Sequence, residues 1–217
     1  MQTVRTRVWR TLERRSAEAF LVAGVLLLAS PAHIGLELFV NVPLPSWMVA
    51  SVILPGLIAT LAGLVGLYPR IADRAPWMAS IGGLFTTLAG TILLVLLGWI
   101  LGDSILTTAS EMAIGSPPDI TFLILAMAMT LAFVLFGTAS LRVGVPSRLV
   151  GVLLISFALP WIASLAATSL YGSEFPRWLA LAIYGPIPVV MLATGYTLRI
   201  ESMPAARENS ARDTTPG

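Results

Sequence analysis

Residues 78–102 read MASIGGLFTTLAGTILLVLLGWILG, twenty-five positions without a charged side chain. A helix needs about 20 mostly apolar residues to cross the hydrocarbon of a bilayer, and no soluble core helix of this length stays apolar on every face. Working outward, five further stretches of the same kind cover about 18–40, 47–68, 120–141, 148–170 and 176–198. The expected fold is therefore all-α: a polytopic six-transmembrane-helix bundle with short loops. Residues 17–198 form this domain, flanked by a basic amphipathic cytoplasmic segment at 1–16 and a disordered cytoplasmic tail at 199–217.

Composition agrees. With 57% hydrophobic and 11% charged residues, a 217-residue chain has too little polar surface for water. The net charge of +2 is small, and the arginines cluster by loop without a continuous basic face, so nucleic acid is not expected as a partner. Membrane lipids are. The chain has no cysteine, so it forms no disulfide, thiolate zinc site or iron–sulfur cluster. It also has no lysine, which removes retinal or pyridoxal Schiff-base chemistry and the phosphate-binding loop of nucleotide hydrolases. A single histidine, His33, cannot supply bis-histidine haem ligation within one chain. No cofactor and no metal site is expected.

Orientation follows from the guanidinium groups. With the amino terminus inside, Arg5, Arg7, Arg10, Arg14, Arg15, Arg70, Arg74, Arg142, Arg148, Arg199, Arg207 and Arg212 are all cytoplasmic, and Arg177 alone is outside. The positive-inside rule then predicts an N-in/C-in protein of the cytoplasmic membrane. Aromatic residues give a second check: Trp47, Trp99, Tyr171 and Trp178 fall near the outer boundary, and Tyr68, Trp77 and Tyr196 near the inner one. Ser30-Pro31-Ala32 after a basic region also fits a signal cleaved before His33, but the apolar stretch continues through Val40 and favours retention of residues 1–32. Val4, Val8, Trp9 and Leu12 share one helical face opposite Arg7, Arg10 and Arg14. That segment either lies flat on anionic headgroups or simply extends the first helix.

Function is less legible. Pro31, Pro55, Pro160, Pro186 and Pro188 fall near the midpoints of four spans, each removing a backbone hydrogen bond. Tyr184-Gly185-Pro186-Ile187-Pro188 is the sharpest interruption. Broken helices either line a midplane cavity, as in many transporters, or merely kink. The second reading takes precedence, because spans two to six hold no ionisable residue near the midplane for coupling. His33 and Glu37 lie four residues apart on one face, either as a relay into the bundle or as interfacial polar groups. Ser156, Pro160, Ser164 and Thr168 form a weakly polar stripe on the fifth span. Candidate polar positions are thus His33, Glu37, Ser164, Thr168 and Tyr184. Small residues at Ala59, Gly63, Ala79, Gly83, Thr87 and Thr91 suit close helix packing and make the third span the expected centre of the bundle.

The stretch Gly66-Leu67-Tyr68-Pro69-Arg70-Ile71-Ala72-Asp73-Arg74-Ala75-Pro76, together with Trp9-Arg10-Thr11-Leu12-Glu13-Arg14-Arg15-Ser16 before an apolar helix, resembles uncharacterised multi-pass membrane proteins of halophilic archaea. The resemblance implies habitat and topology and carries over no activity. The leading expectation is a non-enzymatic membrane subunit or scaffold that packs against itself or another membrane protein. The alternative is a passive channel or facilitator for a small, weakly polar solute through a proline-broken midplane. A second alternative is an interfacial lipid-modifying enzyme, which needs a cluster of His, Asp or Arg at one depth that the sequence does not offer.

Overall fold

The computed structural model describes the backbone of residues 2–42, 44, 46–110, 119–171 and 176–213, and the side chains of 15–42, 44, 48–103, 120–171 and 176–201. Six helical spans are long and apolar enough to cross a membrane: Arg15–Val40, Met48–Ala72, Pro76–Asp103, Ile120–Val143, Arg148–Tyr171 and Arg177–Glu201. No strand occurs among the described residues. The protein is an all-α bundle with six candidate spans.

The elements are α1 (Gln2–Leu27), α2 (Ala29–Gly35), a π-helical turn (Leu36–Val40), α3 (Ser46–Ala72), α4 (Pro76–Ser110), α5 (Asp119–Val143), α6 (Arg148–Tyr171), α7 (Arg177–Tyr184) and α8 (Pro186–Asp213). The first span comprises α1, α2 and the π-turn, and the last comprises α7 and α8. Each span packs on its sequence neighbours, and α8 returns to α1, so the six close into a ring. Six alternating crossings bring both chain ends to one face, here called proximal. The opposite face is distal.

Short connections hold the proximal side. After α3, the Ala75 N–H donates to the Ile71 carbonyl at 2.7 Å and that of Arg74 to the same oxygen at 3.1 Å, closing a turn of three residues before α4. After α5, Gly144 takes a positive φ of 69°, and the Ser147 hydroxyl accepts from the Val150 N–H at 3.3 Å to cap α6.

Inside lipid, helices associate through close packing rather than water exclusion, so small residues set where backbones meet. One close crossing is that of α5 on α6. A Cβ on Gly151 would lie 2.8 Å from the Gly137 carbonyl oxygen, and one on Gly137 would lie 2.9 Å from that of Gly151. Between these helices the Phe133 and Phe157 rings stack with centroids 4.1 Å apart. Both are fully buried, with Phe136, Leu64, Leu93, Met129, Leu154 and Met191 in the same core.

The third span is not the centre of the bundle. Its α4 is a ring member with a wide face turned outward, where Leu84 is 66% and Leu94 61% exposed. The expectation failed because a helix apolar all round carries no directional signal, and its threonines and glycines read alike on either face. Some of those small positions do pack: Gly63 receives the Phe20 ring and Ala79 is fully buried. Thr87 and Thr91 instead lie exposed and bond their own helix.

Exposed aromatic residues mark both ends of the ring. Trp77 and Tyr196 stand out on the proximal side, Tyr171 and Trp178 on the distal side. Trp47 lies outside the described side chains. So do residues 1–14, on which the expected amphipathic face rests. The backbone of α8 continues as helix to Asp213, through most of the segment expected to lack order, and residues 214–217 lie outside the described residues. Ala205, Ala206, Arg207 and Glu208 are good helix formers, and this local preference outweighs the lost hydrophobic periodicity.

Candidate functional site

Four spans carry mid-span prolines, and each stays in right-handed helical geometry there. In the first span the ladder tightens at Leu28 (φ −58°, ψ −24°), whose N–H reaches the Val25 carbonyl at 3.3 Å. Pro31 follows in the first turn of α2, where it offers no N–H to the Leu27 carbonyl. In the last span Gly185 keeps helical angles (φ −57°, ψ −40°) and donates its N–H to the Leu181 carbonyl at 2.8 Å, so α7 passes into α8 along one helical path, with Pro186 and Pro188 each removing a backbone donor. Likewise, α3 runs through Pro55 and α6 through Pro160 without a break. The short distal segments α2 and α7 pack against each other.

These segments and the π-turn carry three of the candidate side chains. His33 on α2 places Nε2 3.5 Å from Oε1 of Glu37, and Arg177 at the start of α7 places Nε 3.5 Å from its Oε2. Glu37 thus sits between a histidine and an arginine and ties the π-turn to α7. Tyr184, at the far end of α7, shares a 2.7 Å hydrogen bond with the Ser164 hydroxyl on α6.

A cavity of about 920 Å³ occupies the distal half of the ring. Every span contributes to its wall: His33, then Val49 to Leu57, Leu96 and Ile100, Ile120 to Ala126, Trp161 to Thr168, and Tyr184. The deepest wall residue of α3, Leu57, lies about two and a half turns below Met48, near mid-span. Most of the wall is aliphatic, and among the described residues no Asp, Glu or Arg side chain lines it. Four of the five candidates, His33, Ser164, Thr168 and Tyr184, meet in this one space. Glu37 stands behind His33 and does not line it.

The cavity stops at mid-depth. One turn further toward the proximal face, Leu61, Leu93, Met129, Phe157 and Ile187 are all buried in the continuous core. A cavity of this size with apolar walls and few polar groups has the form of a small-molecule site. It lacks the form of a continuous pore.

Trp161 is the wall residue that sequence reasoning missed. It lies three and seven positions before Ser164 and Thr168, on the same face of α6, and its indole N–H is buried without an acceptor among the described residues. The expected stripe on that helix splits: Ser156 donates back to the Val152 carbonyl, Pro160 is buried, and only Ser164 and Thr168 reach the cavity. His33 Nδ1 is likewise buried and unpartnered.

A second, shallower groove of about 320 Å³ lies nearer the proximal side, lined by Val65, Tyr68, Ser80, Gly83, Thr86, Thr87 and Phe136. It collects small residues of α4 beside α3. Among the described residues, no three His, Cys, Asp or Glu side chains gather closely enough to hold a metal ion. Comparison with protein-family models, curated proteins and solved structures found no match for this chain.

Proposed function

We propose that this protein is a membrane-embedded binding protein that takes a small, predominantly apolar molecule into the distal half of its bundle, as a receptor or the first station of a facilitator. The observation that carries this reading is the cavity of about 920 Å³ to which all six spans contribute and in which His33, Ser164, Thr168 and Tyr184 converge on a predominantly apolar wall. Chance kinking by prolines gives no reason for dispersed polar side chains to meet in one space. The sealed proximal core argues against a permanently open channel. Any passage across the bundle requires that core to rearrange, which suits slow carriage better than conduction.

The distal face is taken to be the non-cytoplasmic one of the cytoplasmic membrane, since twelve of the thirteen arginines then lie inside. The scaffold reading retains one supporting observation, the groove of small residues on α4, into which another helix could pack. The two readings are compatible. The lipid-modifying reading has the His33–Glu37–Arg177 group to rest on, of which His33 alone lines the cavity and Arg177 is largely exposed.

The test is extraction of bound molecules. Wild-type protein and Ala50→Trp, which fills the cavity from its wall, are purified in lipid nanodiscs, extracted with solvent and compared by mass spectrometry. A neutral molecule enriched with the wild type and depleted with the variant supports the reading. Identical extracts from two folded proteins contradict it.

A further inference from the structure

We infer that the molecule taken by the distal cavity carries a neutral hydroxyl group on its apolar body, and that this group docks at the Ser164–Tyr184 hydroxyl pair. The inference deepens the binding reading above and rests on it.

The other hydroxyls of the bundle indicate what is unusual about this pair. Thr60, Thr86, Thr130, Thr168 and Thr194 each donate to the carbonyl four residues back on their own helix. Their protons are committed locally, the usual fate of threonine in a membrane helix. Ser164 instead bonds across to Tyr184 at 2.7 Å, from α6 to α7. Two hydroxyls hold two protons, and only one is used between them. Whichever oxygen donates, the pair keeps one O–H and open lone pairs beside an apolar cavity.

Three ligand classes can be weighed against that arrangement. A purely apolar molecule would cover the remaining O–H and leave it without an acceptor, which is costly in a dry site. A carboxylate or ammonium would enter a wall that holds no Asp, Glu or Arg among the described residues, while Glu37, behind His33, already faces Arg177. Such a charge would be desolvated without a counter-ion. An alcohol accepts the unused proton and donates its own, extending the chain of O–H···O bonds. The same dual character suits the other polar capacity in the wall, the donor-only indole N–H of Trp161 and Nδ1 of His33, neither with a partner among the described residues.

The full-length protein in nanodiscs is titrated with four probes of one chain length: 1-dodecanol, dodecane, dodecanoic acid and dodecylamine, each corrected against protein-free discs. The double variant Ser164→Ala/Tyr184→Phe is titrated in parallel. The expected result is a preference of about tenfold for the alcohol over the alkane, the scale of one or two net hydrogen bonds, lost in the double variant. Dodecane affinity in that variant equal to or above the wild-type value demonstrates that its cavity is still folded, since the O–H that an alkane leaves unsatisfied is gone. Equal binding of alcohol and alkane to the wild type overturns this inference and leaves cavity binding standing. Tightest binding of the acid or the amine overturns it as well. If no probe binds, the binding reading fails, and this inference with it.

Discussion

Gly137 and Gly151 face each other where α5 crosses α6, each within 3 Å of where the other's side chain would begin. Gly151→Ala is therefore expected to destabilise the protein by roughly 1–3 kcal/mol, because backbone rather than a yielding side-chain tip stands in the way. Gly98 on α4 is the control. A Cβ there meets nothing within 4 Å, so Gly98→Ala should be neutral or stabilise by up to about 1 kcal/mol through helix propensity alone. Thermal melts of both variants in one detergent make the comparison. Ser140 gives a prediction of opposite sign: its hydroxyl is fully buried with no partner among the described residues, so Ser140→Ala should leave the melting temperature unchanged or raise it. A fall of several degrees would mean that the hydroxyl has a partner in the folded membrane protein.

At the scale of elements, the distal segments α2 and α7 join their longer continuations through Leu28 and Gly185, both in right-handed helical geometry beside prolines that remove backbone donors. Glu37 connects them through Arg177, a side chain that is 59% exposed. Exposed pairs of this kind are worth little, and a double-mutant cycle of Glu37→Gln with Arg177→Gln should give a coupling below about 1 kcal/mol in stability. A larger value would make this pair a structural clamp. Pro186 is the more consequential residue. Replacing it with alanine restores a backbone donor in a junction that is already helical, so Pro186→Ala is expected to straighten the span, shift Tyr184 relative to Ser164 and weaken ligand binding with little change in helicity. Circular dichroism alongside the alcohol titration checks both halves of that statement.

How much could be read in advance also divides by element. Spans were legible because an uninterrupted apolar run such as 78–102 permits one structure in lipid. The missing backbone donors at the prolines were legible too, since proline chemistry is local, and the favoured reading of kinks over breaks agrees with Pro55 and Pro160 inside continuous helices. At Gly185-Pro186, expected as the sharpest interruption, the path stays helical as well. Side-chain direction was the least visible property. Whether His33 turned inward, or which face of α4 met lipid, depends on rotation about helices that are apolar on all sides. Trp161 escaped notice for the same reason, as its neighbours Pro160 and Ile162 gave no cue that its face lined a cavity.

For the whole molecule, the consequential feature is asymmetry along the bundle axis, with a packed core on the side of the chain ends and a cavity on the other. The chain contains no cysteine, so single cysteines can be introduced without background. Thr168→Cys and Ala50→Cys report on the cavity wall, and Met191→Cys and Leu64→Cys on the buried core. The decisive measurement is labelling of these four variants by a membrane-impermeant thiol reagent in sealed vesicles of known orientation. The wall positions should react from the non-cytoplasmic side only, and the core positions from neither. Labelling of the wall from the cytoplasmic side, or of the core as readily as the wall, would contradict an outward-facing cavity sealed below.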